Sequence, residues 1–265
     1  MAEPNDARGA NPLAGLPPID VLEYGGKRDG VRQSMDRRLF MQLLVARGEV
    51  GCDPAVTVRL LTDALRASAV DAVIYDDTND PRGIGLLTWS EDPAHFVERV
   101  RPLFAREPLA AWSVRPEFTM LGRTYSLGHE PDLEHAMLRR SIERVLDAKC
   151  PWHVWYPLRR IGAFNRLEGP ELSTIMREHA SIGFAYGQQE LAHDVRLACH
   201  GLDTNDNEFV IGLTGQTLHP LSHLVQAMRK TRQTAEFIEK MGPFFIGHVA
   251  ARVSSAEGST LSRDS

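Results

Sequence analysis

IGLLTWSEDPAHFVERVR (Ile84–Arg101) lies over IGLTGQTLHPLSHLVQAMR (Ile211–Arg229), with a period of about 127 residues and one extra residue in the second copy. Around the first copy, Arg37–Arg47 reads as a buried strand, and Pro54–Ala67 carries Val56, Leu60, Leu61 and Leu65 at helical spacing. Apolar runs at Ala72–Tyr75 and Gly83–Trp89 predict two strands. Asp92-Pro93 opens a helix, and Phe118–Leu127 closes the half as a strand. Around the second copy, strands are predicted over Trp152–Leu158, His193–His200, Glu208–Thr214 and Phe244–Arg252, with helices over Pro170–Tyr186 and Pro220–Thr231. Both halves therefore read β-α-β-β-α-β. The fold class is α+β, two tandem ferredoxin-like repeats forming a pseudo-symmetric, dimeric α+β barrel-like body. Each repeat leaves one sheet face open, so two sheets packed face to face are expected to bury a common core.

The organisation that follows is a flexible arm over 1–35, a first repeat over 36–127, a connector over 128–151, a second repeat over 152–253 and a disordered tail over 254–265. The 265 residues are 43% hydrophobic with a net charge of -5. That balance, without a Lys/Arg-rich block, argues against nucleic acid as a partner. No apolar run reaches the roughly 18–20 residues of a membrane span, and residues 1–20 have no signal-peptide core. Three distant cysteines without a C-x-x-C fit a reduced, cytoplasmic setting.

Standard nucleotide, hydrolase and zinc motifs are absent. DTNDNE (Asp203–Glu208) reads as a hydrogen-bonded turn rather than a calcium loop, since it lacks the Gly and the final Glu. His219 and His223 are four apart, but Pro220 is expected to leave His219 outside the helix, which argues against a joint metal site. Two features point to chemistry. His179, in IMREHASIGFAYG, is flanked by Ala180, Gly183, Ala185 and Gly187, which clear space for a flat ligand beside an imidazole. Tyr156-Pro157-Leu158-Arg159-Arg160 puts two arginines just beyond a strand interrupted by Pro, a pairing suited to carboxylates.

VWYPLRR, IMREHASIGFAYG, CHGLDTNDNEFVIGL, LVQAMRKTRQTAEF and GPFFIG occur in the order and near the spacing of the chlorite dismutase family, and within it the coproheme decarboxylases, which the second half resembles. The resemblance implies His179 as the iron ligand and Tyr156 as the radical-forming tyrosine of a Tyr-Pro-Met-x-Lys motif, with Arg160 at the Lys position. Arg229 and Thr234 would bind porphyrin propionates, with Arg140 or Arg144 adding a further contact. The distal residue falls at Asp194 or Arg196, counted from either side; Arg196 is the catalytic candidate. Where chlorite-splitting members carry a Glu that strengthens the proximal His as a donor, Thr214 stands here, which implies a poor chlorite dismutase.

The implied activity is peroxide-dependent oxidative decarboxylation of iron coproporphyrin III. The alternatives are a haem carrier or sensor without dedicated catalysis, and a haem b peroxidase or chlorite dismutase-like enzyme. The implied partners are a porphyrin, hydrogen peroxide and further copies of the chain, as a homo-oligomer with a pentamer favoured.

Overall fold

The computed structural model describes residues 18–254. Its first elements correct the expected flexible arm. Glu23–Arg28 (β1) and Val31–Met35 (β2) pair as an antiparallel hairpin. Asp29 and Gly30, at φ 53° and 81°, make its turn, in the left-handed conformation that suits hairpin twist. The Gln33 side-chain amide, 3.1 Å from the carbonyl oxygens of Gly26, Glu130 and Pro131, straps the hairpin to the connector. This hairpin is held by main-chain and amide hydrogen bonds while Val31 stays exposed, so it carries none of the apolar alternation that marks a strand in sequence. The remainder of the expected arm, residues 1–17, and the expected tail from residue 255 onward lie outside the described residues.

The first repeat follows. Phe40–Gly48 (β3) buries Met41, Leu43 and Val45 on one side. Pro54–Ala67 (α1) is capped by Asp53, whose Oδ1 accepts the N–H of Ala55 at 2.9 Å. Ala72–Asp77 (β4) and Gly83–Ser90 (β5) come next, then a wide-turn helix over Phe96–Val100 that tightens into 3₁₀ geometry over Arg101–Ala105. Trp112–Val114 (β6) pairs with β3, and Met120–Arg123 (β7) is shorter than predicted at both ends, following a 3₁₀ turn over Pro116–Phe118 and stopping before Thr124. The connector is largely helical, with a wide turn over His135–Arg139 and Arg140–Leu146 (α2).

In the second repeat, Trp152–Arg160 (β8), Gly169–Gln188 (α3), His193–Ala198 (β9) and Phe209–Gly215 (β10) lead to Leu218–Met228 (α4). Helix α4 begins two residues earlier than predicted and includes His219. Pro220 is tolerated there because first-turn N–H groups have no intrahelical acceptor. Arg232–Phe237 (α5), Ile238–Met241 (β11) and Phe245–Val253 (β12) complete the chain.

Strands of the first repeat lie in the order β7-β3-β5-β4, and those of the second in the order β12-β8-β10-β9. In each repeat that is fourth, first, third, second, the ferredoxin-like order. Strand β4 then pairs with β12, and β7 touches β9 at Arg123 and Ala198. The strands therefore close into one ring. This is the barrel-like body expected of two facing repeats, and its seams are main-chain pairings: the edge strands of each repeat satisfy their free N–H and C=O groups on the other repeat.

Trp155, Tyr75, Phe245, Met41 and Leu43 fill the interior. Helix α1 and the Phe96–Ala105 helix cover the outer face of the first repeat, and α3 and α4 that of the second. The repeated Ile-Gly letters have a packing reason here. A Cβ on Gly85 would sit 2.6 Å from Phe245 Cζ, and one on Gly212 would sit 2.6 Å from the Trp155 ring. Each glycine makes room for an interior aromatic. Gly212→Ala is expected to cost about 1–3 kcal/mol of stability by overpacking, read as a lower denaturant midpoint. Among the described residues no helix is long and apolar enough to cross a membrane.

Candidate functional site

Strand alternation sends successive side chains to opposite faces. On β9, Val195 and Leu197 point into the barrel, so Asp194 and Arg196 face outward. The register joins Arg196 to Ile211 on β10 and Ile211 to Tyr156 on β8, while Asp194, Leu213 and Val154 form the next row. The two alternatives for the distal residue thus share one face, and they pair with each other: Arg196 Nε lies 2.8 Å from Asp194 Oδ2. Arg140 of α2 holds the other carboxylate oxygen at 2.7 Å. One carboxylate is clamped between two guanidinium groups.

Tyr156 is 6% exposed and stacks on Phe244, with ring centroids 4.6 Å apart. Burial pushes its phenol well above the ordinary tyrosine range; Asp194 adds to the shift and Arg229 opposes it. Those couplings bring Tyr156, Asp194 and Arg229 into one electrostatic neighbourhood. His179 joins it from α3. Burial, then the Arg196 charge, lower its pKa against smaller opposing effects of Asp194 and Glu178. The ring is therefore neutral at pH 7, and its buried Nδ1 has no hydrogen-bond partner.

Arg229 stands exposed at the end of α4 and forms no ion pair among the described residues. Thr234 sits in the first turn of α5, its N–H capped by the Thr231 hydroxyl at 3.4 Å. Arg232 ties α5 to the His179 helix: its side chain reaches Glu171 at 2.8 Å and its backbone N–H donates to Glu178. Arg160 is more committed than its sequence position implies. Its guanidinium pairs with Glu208 at 2.9 Å and lies between the rings of Phe164 and Phe209, at 4.2 and 4.7 Å. Burial alone would raise Glu208, but hydrogen bonds from the Arg160 side chain and N–H hold it below the usual range.

Between the two connector arginines, Arg140 reaches the site, whereas Arg144 lies toward Cys150, whose thiol its charge influences. Thr214 requires a correction. It pairs in register with His153 and is wholly buried with the barrel interior, on the face opposite Leu213 and away from His179. The position counted as a carboxylate partner of His179 is thus an interior one, and among the described residues no carboxylate is hydrogen-bonded to that imidazole. The DTNDN segment is a turn, with Asp203 accepting from the Asn207 amide at 3.0 Å and the Asp206 N–H at 3.1 Å.

Sequence reasoning missed Tyr125. Burial raises its phenol pKa, with Arg196, Asp194, Arg160 and Arg140 all within electrostatic reach. It lines a cavity of about 330 Å³ together with Arg140, Arg196, His129 and His135. Its one signal was a lone aromatic inside the strand predicted over Phe118–Leu127, which nothing separates from ordinary packing.

The fold and this face define a two-repeat α+β barrel whose second repeat presents a buried tyrosine, a neutral histidine and several arginines beneath two helices. The chain belongs to the chlorite dismutase family, whose profile it matches over residues 92–250. Among solved structures it is similar to a haem-binding protein from Thermus thermophilus, at 16% identity and TM-score 0.63, covering 80% of this chain and 91% of that one. It is also similar to a mutant chlorite dismutase from Candidatus Nitrospira defluvii, at 11% identity and TM-score 0.64, covering 82% and 93%. No curated protein sequence matches the chain.

Proposed function

We propose that this face of the second repeat binds an iron porphyrin and that the protein oxidatively decarboxylates iron coproporphyrin III with hydrogen peroxide. The observation that carries the reading is the row Arg196–Ile211–Tyr156 on the face that the His179 helix covers, with the imidazole Nδ1 buried and unpartnered. The residues present suit the group. An imidazole kept neutral has a lone pair for iron, and its unpartnered buried nitrogen is a cost that ligation or a bound partner would relieve. The family includes haem-dependent enzymes, and the Thermus neighbour is described as haem-binding.

When bound, the iron porphyrin supplies the redox chemistry with peroxide. The chain's own residues bind and orient. Arg229, with no competing carboxylate, would hold a propionate, and Thr234 would add a hydrogen bond. Asp194 fixes Arg196 and Arg140 at the edge of the site. Tyr156, desolvated and stacked on Phe244, keeps its proton until an electron is taken from it. Each of the two reacting propionates then loses carbon dioxide, a proton and two electrons to become a vinyl group. Peroxide takes up those two electrons with two protons and leaves as two waters.

Iron coproporphyrin mixed with the protein and titrated with peroxide should lose two carboxyl groups stepwise, seen as successive mass losses in the extracted porphyrin. An unchanged porphyrin would point to a carrier, and turnover of an added electron donor to a peroxidase. For the clamp, charge-assisted hydrogen bonds of about 1.5–3 kcal/mol imply that Arg229→Ala weakens coprohaem binding about tenfold or more, and a Thr234→Ala change less. Wild-type affinity in both variants would remove the α4–α5 turn from the site.

A further inference from the structure

Behind Tyr156, inside the barrel, lies a polar pair that this chemistry does not use. Tyr75 and His153 are both wholly buried, and the Tyr75 hydroxyl is 2.8 Å from His153 Nδ1. The other ring nitrogen, Nε2, is 3.1 Å from the Cys150 carbonyl. A carbonyl only accepts, so Nε2 carries the hydrogen, Nδ1 is the acceptor and Tyr75 donates to it. Burial and the nearby Arg252 charge push the His153 pKa down to about 3, so the ring stays neutral. Trp155, also wholly buried, shares this interior. Its indole N–H is near enough to Tyr75 to favour the phenolate, yet makes no hydrogen bond of its own. In sequence Trp155 is one peptide from Tyr156, the two side chains standing on opposite faces of β8.

We propose that the interior pair is a side-track for oxidising equivalents, in which a one-electron vacancy made on Tyr156 by peroxide passes through Trp155 to Tyr75 while His153 takes the Tyr75 proton. The step balances. The Tyr156 phenoxyl radical gains one electron, and one proton from water at the site, and returns to a phenol. Tyr75 loses one electron, and its proton crosses the existing hydrogen bond to Nδ1. Trp155 is oxidised and reduced in passing. A phenol radical cation is a far stronger acid than even this weakened imidazolium, so the proton moves outward. Arg252, whose guanidinium is fixed 2.9 Å from the carbonyls of both Asp147 and Cys150, disfavours a second positive charge beside it. The vacancy is therefore held briefly and handed back.

This inference rests on the porphyrin-and-peroxide reading above and says where the oxidant goes when no reactive propionate is present. The test loads the protein with iron protoporphyrin IX, adds hydrogen peroxide, freeze-quenches the mixture and records electron paramagnetic resonance. The protein carries ¹⁵N-histidine and a Tyr186→Phe change, because Tyr186 also pairs with a histidine, His223. The expected result is a tyrosyl radical coupled to a histidine ¹⁵N. Adding Tyr75→Phe should reduce that coupled signal at least tenfold, and adding Tyr156→Phe should lower it several-fold. No ¹⁵N-coupled radical in the Tyr186→Phe protein would overturn the side-track without any interior substitution, and so would a coupled signal that survives Tyr75→Phe. Porphyrin masses from a parallel coprohaem reaction report on the decarboxylase reading separately. Stepwise mass loss without the coupled radical sinks only the side-track.

Discussion

Tyr156→Phe is expected to bind iron coproporphyrin within a few-fold of wild type and to lose decarboxylation by two or more orders of magnitude. The substitution keeps the ring that stacks on Phe244, so the wall of the site survives. It removes a hydroxyl that has no hydrogen-bond partner among the described residues, so the structural loss should fall below the roughly 1 kcal/mol of an ordinary hydrogen bond. Chemistry is different: a phenylalanine ring has no O–H to give up. The measurement is a pair, coprohaem affinity by titration and carbon dioxide loss by porphyrin mass. Wild-type turnover in the Phe variant would end the tyrosine role and move the assignment to a carrier or a peroxidase.

His179→Ala should purify as folded protein and lose the axial ligand. The side chain is half-buried on a helix with mostly exposed neighbours, and its Nδ1 has no internal partner to orphan. Alanine is also the best helix former. Stability should therefore change little, while the bound porphyrin shifts its Soret band and binds at least tenfold more weakly. Addition of free imidazole should restore part of the band position. A variant with an unchanged Soret maximum and unchanged affinity would show that the iron is held elsewhere.

The doubled fold was legible because each repeat carries its own periodic strands and helices, and because Gly85 and Gly212 answer to the same packing need. A barrel-like body was legible too, but which strands meet at its seams was not. Backbone pairing at the seams leaves no mark on side-chain pattern, and one seam is a single residue pair. The Gln33 strap was invisible for the same reason. At the site, His179 and the Tyr156–Arg160 stretch could be picked out by type and spacing, and Asp194 or Arg196 through the family resemblance, but the Asp194 clamp required three dimensions, since Arg140 comes from 54 residues away. The resemblance in letters set Thr214 beside His179, whereas strand alternation turns it to the interior.

The ring also sets unequal terms for the two repeats. Apart from Tyr125 near its end, the first repeat contributes no candidate residue to the porphyrin face. It still supplies Tyr75 and the Gly85 hollow that seat the aromatics behind Tyr156. Its inward positions therefore answer to the shape of the other half, while its outer face packs only its own helices. The symmetric body thus works as an asymmetric mould, one half casting the wall against which the other half's site is formed.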